Sequence, residues 1–423
     1  ADMDTDVWVA VPNWFDPEAK GDEVGYTIRK LLKGVPGVPQ GPRLFYTTSH
    51  AIYTAAGLTQ CRSEPCLYFN LSKQLYIVTW VDDIFEFYPT MSTNHANDLW
   101  KLLQSKLDLD DCIDIIIDDC LSCHVIRDRA NRTISLTQEV AVRKLLLKLN
   151  MTECNPASTP LVHNTKLSKK DCPDAKTAAV MVNEQRWYRS VVASLIYFVM
   201  WSRPDMAYAV SKLCKFMHNP GKVHMNALKH LIRYLKGTAD KGLVFDFSSP
   251  KTQTGVYGYY DAAHADCPDT LRSTLAYVMF FESCSLSWNS KLHTFVTTST
   301  NHSKYCAAAK AAKEAKWFDK LFKEIGFSYY VFPINLFSDS QGAIGMVYNP
   351  ILRSASKHVD LADHYAREQQ ELGIIAVAYV NTKLMIADLL TKALALIDFS
   401  RHADKLVKVV KLASQASLEG RSQ

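Results

Sequence analysis

The chain has 423 residues, 48% of them hydrophobic and 22% charged, a balance that supplies a core and excludes a fibrous or wholly disordered polypeptide. At roughly 100–200 residues per domain, that length holds about two to four domains. Forty-eight Lys and Arg against 43 Asp and Glu leave a charge of +5, which permits a nucleic-acid partner without requiring one. No apolar run approaches the roughly 18–20 residues of a membrane span, and the first residues lack the basic-then-apolar order of a secretory leader. The expectation is a chain without a membrane partner, in the cytoplasm or the nucleus. Eleven cysteines, an odd number without framework spacing, point to reduced thiols. Cys120-Leu121-Ser122-Cys123-His124 fits a haem-attachment pattern, but it lies in a strand-like stretch of a chain read without an export signal, and zinc would need a second ligand pair, so ordinary buried cysteines are expected there.

In chain order, LYFNL and QLYIVTWV read as a hairpin joined through Ser72-Lys73, with the second strand running into Asp82-Asp83 and a further apolar run, IFEFY. NHANDLWKLLQSKL carries Leu99, Leu102, Leu103 and Leu107 at helical spacing. The acidic segment LDLDDCIDIIIDD, from Leu107 to Asp119, reads as a solvated turn rather than a metal site. HVIRDRANRTISL is a second hairpin around Ala130-Asn131, and Thr137 is placed to cap the helix EVAVRKLLLKLN. From Pro156 to Asn183 the pattern lapses into Pro, Ser, Thr, Asn and Lys, a linker. Three helices follow, RWYRSVVASLIYFVMW, PDMAYAVSKLCKFM with Pro204 in its first turn, and HMNALKHLIRYLKG ending at Gly237. On the third, Lys229, Arg233 and Lys236 form one basic stripe, either a solvated face or one that tracks phosphates. Beyond Pro250 the order is three strands (TGVYGYYDA, STLAYVMFF, LSWNSK), a helix from Lys304 to Lys323, strand INLFSD, helix SQGAIGMVYN, strand AVAYVN and helix KLMIADLLTKAL. That order describes a mixed α/β sheet covered by helices.

Two sets of acids carry the candidate chemistry. Asp82 and Asp83 sit at the tip of an apolar hairpin, where aspartate serves either a local turn or, held rigidly by buried strands, as a hard oxygen ligand for Mg²⁺. Two-metal phosphoryl transfer needs such carboxylates to hold ions about 3.5–4 Å apart. Asp261 ends one strand, Asp339 ends a later one, and Asp388 opens the final helix, so the three can converge on one edge of a sheet. Each alone is as readily a cap or turn residue.

At these residues the chain resembles the Pol polyprotein of copia-type LTR retrotransposons, a reverse transcriptase followed by ribonuclease H. VPGVPQGPRLFY, from Val35 to Tyr46, is similar to the family's LYGLKQSPRAWY, and SEPCLYF and WVDD (Trp80 to Asp83) to its DPCLF and YVDD. SRPDMAYAVSKLCKFMHNPGKVH, ALKHLIRYLKGT, GYYDAAHAD, STSTNHSKY, LFSDSQGAI, SKHVD and IADLLTKAL continue in family order, to about Leu396. The resemblance implies an α+β and α/β multidomain chain: a partial right-hand polymerase palm over residues 1–160, a linker and helical thumb or connection over 161–250, an RNase H-like mixed-sheet domain over 251–397, and a basic C-terminal helix and tail over 398–423. It implies RNA-directed DNA synthesis and cleavage of RNA in RNA–DNA hybrids, with Mg²⁺ as cofactor. RNA, DNA or their hybrid would be the partner, alongside polyprotein or capsid proteins of a retroelement. Asp82 and Asp83 would be polymerase metal ligands, Asp261, Asp339 and Asp388 three of four nuclease carboxylates, and Gln40, Arg43, Lys229, Arg233 and Lys236 nucleic-acid contacts.

The departures set the functional expectation. The family's first polymerase aspartate lies in DVxTAFLNG, upstream of what Ala1 begins, so the fingers and first catalytic motif are expected to be missing. Trp80 replaces the tyrosine of YVDD. The family's STTEAEY reads Ser299-Thr300-Asn301-His302-Ser303-Lys304-Tyr305, with Lys304 in place of the metal-bridging glutamate. An ammonium about 4 Å from Mg²⁺ repels it by roughly 8 kcal/mol at an effective dielectric near 20. Lys304 either swings away or occupies the cation's place between Asp261 and Asp339. Glu314, ten residues on, lies about 15 Å along the helix and cannot substitute. The expectation is a protein impaired or dead in both sites. The alternatives are a domesticated nucleic-acid-binding scaffold, an enzyme made active by a longer chain, and a decaying reading frame.

Overall fold

In a computed structural model the structure describes residues 8–12, 26–30, 41–80, 83–107, 123–248, 253–331, 333–349 and 364–410. The chain divides into two units, one of residues 1–112 with 324–326 and one of 113–323 with 327–423.

In the first unit, β1 (Trp8–Pro12) and β2 (Tyr26–Lys30) pair as an antiparallel ribbon. Helix α1 (Gly41–Ala55) is followed by the antiparallel sheet β3-β4-β5-β6, made of β3 (Thr59–Gln60), β4 (Leu67–Asn70), β5 (Leu75–Trp80) and β6 (Asp83–Phe87), and then by α2 (Thr93–Lys106). Alternation makes the sheet one-sided: on β5, Leu75 and Ile77 are buried while Tyr76 and Val78 are only partly so. Ala96, Leu99 and Leu103 fall on one face of α2 and close a core with Tyr53, Leu58, Tyr68, Leu75 and Ile77.

The second unit holds two sheets. Strands β7 (His124–Asp128) and β8 (Thr133–Thr137) form the expected hairpin, and the Thr137 hydroxyl accepts from the amide of Glu139 at the start of α3 (Glu139–Lys148). Helices α4 (Ala175–Val180), α5 (Val182–Trp201), α6 (Ala207–Cys214) and α7 (Lys222–Gly237) precede β9 (Lys241–Asp246), which pairs with β8. That pairing makes the stretch from Pro156 to Asn183 a connection inside one unit, and its Leu161 and Leu167 are buried in the helical core. Gly242 of β9 passes so close to β8 that a Cβ there would lie 2.2 Å from the carbonyl oxygen of Leu136.

The second sheet has the order β12-β11-β10-β13-β14. Strands β10 (Val256–Ala263), β11 (Thr274–Phe281) and β12 (Cys284–Leu292) run antiparallel to one another in turn, whereas β13 (Ile334–Ser338) pairs with β10 in parallel and β14 (Ile375–Tyr379) pairs with β13 in parallel. Its central strand, VYGYYDAA, is buried along most of its length, as a strand covered on both faces must be. On one face, Ala307, Ala308, Ala311, Ala312 and Ala315 let α8 (Thr300–Glu324) lie close against the sheet. On the other, Tyr257, Val278 and Phe280 pack with α5, α6 and α7.

Helices α9 (Gln341–Tyr348), α10 (Tyr365–Glu371) and α11 (Leu396–Leu406) and the short strand β15 (Lys408–Val409), paired with β9, complete the unit. One expected helix differs. With Thr382 ahead of it, KLMIADLLTKAL holds two 3-10 turns, Thr382–Leu384 and Ile386–Leu390, instead of a single α-helix. The Asn381 side chain caps the first turn, Met385 is extended between them, and all five residues of the second are buried.

Candidate nuclease-type carboxylate cluster

Parallel strands bring their carboxyl ends to one edge of a sheet, where sites form between them. Asp261 lies near the carboxyl end of β10 and is completely buried, and Asp339 follows directly on β13, the parallel neighbour of β10. Asp388 stands on the buried 3-10 turn Ile386–Leu390, and Lys304 on the second turn of α8. The three aspartates do converge.

Lys304 is at the centre. Its Nζ lies 2.8 Å from Asp261 Oδ1 and also donates to Asp339 Oδ1, so of the two expected outcomes the structure shows the ammonium between the carboxylates. The remaining oxygens are held as well. Thr391 Oγ1 donates to Asp261 Oδ2 at 2.7 Å, and Thr382 Oγ1 donates to Asp339 Oδ2 at 3.1 Å. Lys392 Nζ sits 2.7 Å from Asp388 Oδ1 and 3.7 Å from Asp261 Oδ2.

Proton affinities follow this wiring. Burial alone would raise Asp261, but Lys392 and Lys304 outweigh it and hold the carboxyl at about 2. Asp388 is pushed up to about 7, by burial first and then by the Asp261 charge, which Lys392 only partly offsets. Burial opposes the charge on Lys304, yet Asp261 and Asp339 more than restore it, so its pKa is raised. Lys392 is raised likewise, through Asp261 and Asp388.

These residues do not fit Mg²⁺. A small dication needs near-octahedral oxygen donors at about 2.0–2.1 Å, and Lys304 already engages one oxygen of each strand-end aspartate. Among the described residues no group of three or more His, Cys, Asp or Glu is arranged to hold a metal. The position of the family's other glutamate, His302, is buried with Nδ1 3.1 Å from Thr298 Oγ1. Glu314 accepts from Tyr277 and Ser287 and takes no part in the cluster.

Of the other candidates, Asp83 is exposed at the hairpin turn, paired across it with the half-exposed Trp80, while Asp82 lies outside the described residues. Gln40 and the acidic segment from residue 108 to 119 also lie outside them, and Arg43 is exposed on α1. Lys229 is exposed, but Arg233 Nε donates to the Asn155 carbonyl at 2.6 Å and Lys236 Nζ to that of Cys154 at 2.7 Å. Those two cations fasten a loop, so the stripe is not one uniform basic face. Cys123 is buried and outside any disulfide, and Cys120 lies outside the described residues. Sequence reading missed Thr382, Thr391 and Lys392, although the four-residue spacing of Asp388 and Lys392 is a visible signal.

A family model described as reverse transcriptase (RNA-dependent DNA polymerase) matches residues 1–163. The chain is 31% identical over 399 residues to the retrovirus-related Pol polyprotein from transposon TNT 1-94 of Nicotiana tabacum, covering 92% of this chain and 28% of that protein. It is 29% identical over 409 residues to the corresponding polyprotein from transposon RE1 of Arabidopsis thaliana, covering 95% and 26%. The chain thus spans about a quarter of the length of these curated relatives. Among solved structures, a foamy viral protease-reverse transcriptase in complex with RNA/DNA hybrid aligns at TM-score 0.46 and 10% identity, covering 86% of this chain and 40% of that one.

Proposed function

The chain belongs to the copia-type family of retrotransposon Pol proteins, and from that premise we propose that its RNase H-like half engages RNA–DNA hybrid without cleaving it. One observation carries this reading: the Lys304 ammonium stands between Asp261 and Asp339. Hydrolysis of a phosphodiester in this family relies on divalent ions that activate water and neutralise the leaving oxygen, and here the carboxylates that would bind them face an ammonium. No other described group at the cluster can take over. Lys392 is itself a cation, and Asp388, lifted to about 7, is bonded to it.

Binding is supported by the family's polymerase and nuclease character and by a net charge of +5. The charge at the cluster adds to it. Three carboxylates against two ammonium groups leave at most one negative charge, where three aspartates and a glutamate would present four, so repulsion of a phosphate backbone is much reduced. For the polymerase half the proposal stops at family membership, with Asp83 as its described hairpin acid.

The test is a labelled RNA–DNA hybrid incubated with the protein and Mg²⁺ or Mn²⁺. The hybrid should be retarded in a gel with its RNA strand intact. RNA cleavage that disappears in Asp261→Asn would overturn the reading.

A further inference from the structure

We infer that the side chain of Lys304 is a tethered replacement for the divalent ion, so that the cluster around Asp261 is a closed cation site independent of metal. The inference deepens the reading above and rests on the same residues, but it concerns what holds the site together, not what the site does to nucleic acid.

Two parallel neighbours, β10 and β13, end in aspartates on the same edge of the sheet. Asp261 has no exposure and the Asp339 side chain only 8%, so water cannot screen their mutual repulsion well. Something positive must lie between them. The alanine-rich face of α8 lets the helix approach the sheet closely enough for the Lys304 stem to be buried and its Nζ to reach both carboxylates.

Saturation is the second part of the argument. Lys304 engages Asp261 Oδ1 and Asp339 Oδ1, Thr391 and Lys392 face Asp261 Oδ2, and Thr382 donates to Asp339 Oδ2. Three of the four oxygens therefore have hydrogen-bond donors, the fourth, Asp261 Oδ1, faces the Lys304 ammonium at 2.8 Å as an ion pair, and the third carboxylate, Asp388, turns to Lys392. An incoming dication would have to displace an ammonium that it cannot expel from the chain, besides two hydroxyl donors. Because the cation is covalently attached, its effective concentration at the site does not fall when free metal is removed.

The inference is tested on the full chain by Mn²⁺ binding, read by electron paramagnetic resonance, and by thermal unfolding with EDTA or millimolar Mn²⁺. Wild type should unfold at the same temperature in both, with no bound Mn²⁺ that depends on Asp261. Lys304→Glu should unfold earlier in EDTA, recover in Mn²⁺, and bind the ion at least about a hundredfold more tightly than wild type, a conservative figure for a two-unit charge change against a dication. Lys304→Ala, which removes three methylenes and the ammonium, should be restabilised by Mn²⁺ and also by ethylammonium. Mn²⁺ bound by wild type and lost in Asp261→Asn would overturn the inference, as would a folded Lys304→Glu that ignores the ion. Should neither variant fold, the wild-type measurement decides alone. The earlier reading fails separately: a metal-blind wild type that does not retain hybrid refutes binding and leaves the tethered cation standing.

Discussion

Arg203 and Lys304 are both buried cations of the larger unit, but Arg203 meets one carboxylate and Lys304 meets two, with a third close by. Arg203 donates through Nε and Nη2 to the two oxygens of Asp205 at 3.0 and 2.8 Å, and through Nη1 and Nη2 to the carbonyl and hydroxyl of Thr238. Tyr234 adds a hydroxyl to Asp205 at 2.6 Å. The partners are two residues apart, the charges cancel, and the planar guanidinium matches the carboxylate. Around Lys304, by contrast, β10, α8, the end of β13 and the 3-10 turn after β14 each contribute one group, and carboxylates outnumber ammonium groups. A balanced local pair is what a structural clamp needs. An acid-rich cluster drawn from four elements has the composition of a site built around a cation, and here that cation is a side chain.

The largest effect should separate the two networks. Arg203→Met leaves Asp205 buried against Tyr234 without a cation and should destabilise the larger unit by about 3–5 kcal/mol in urea unfolding. Lys304→Met should cost less, about 1–3 kcal/mol, because Thr391 and Lys392 still face Asp261. Equal losses would show that Lys304 is a clamp of the same kind as Arg203.

His402 sharpens the comparison from the opposite side, as a buried base with no strong anionic partner. Burial first, and then the neighbouring Lys405 and Arg401, depress its pKa from 6.5 to about 4. The unfolded chain takes up a proton below pH 6.5 while the folded one stays neutral, so this stability is fully present above 6.5. It is lost as pH falls from 6.5 to about 4, by up to about 3 kcal/mol. His402→Gln should flatten unfolding free energy across that window. An unchanged slope would mean that His402 is not the group responsible.

Much of this site was legible in the sequence. The strands that run into Asp261 and Asp339, TGVYGYYDA and INLFSD, were readable as short runs rich in apolar and aromatic residues, and Lys304 stood out against the family motif. What could not be read was the closure of the site. Thr382 and Thr391 reach Asp339 and Asp261 from a stretch folded as two 3-10 turns, whereas the apolar spacing of KLMIADLLTKAL suits one continuous helix, and only the Asp388–Lys392 pair keeps a spacing that a helix would also give. Helix α10 was also passed over, because seven polar-rich residues bury only Ala366 and Gln369 and leave almost no periodic trace. In the first unit the hairpin and α2 were readable because each buries one regular face. The fate of the basic stripe was hidden for another reason. Arg233 and Lys236 meet carbonyls 78 and 82 residues away, and a helical wheel shows only which residues share a face.

That stripe supplies the smallest expected effect and a third class of cation, one with neither a carboxylate nor a carbonyl to hold it among the described residues. Lys229 is exposed and two turns of α7 from Lys236, whose ammonium closes on the Cys154 carbonyl. Lys229→Ala should change stability by no more than about 0.5 kcal/mol. If the face tracks a backbone, it should also lower by about one the slope of log affinity for hybrid against log salt. Lys236→Met should do the reverse, costing about 1 kcal/mol through the carbonyl it abandons while leaving the salt slope unchanged. A slope that falls equally in both variants would mean that Lys236 leaves Cys154 to meet a phosphate. Its hydrogen bond would then be a resting contact, unlike the enclosed bonds of Arg203 and Lys304.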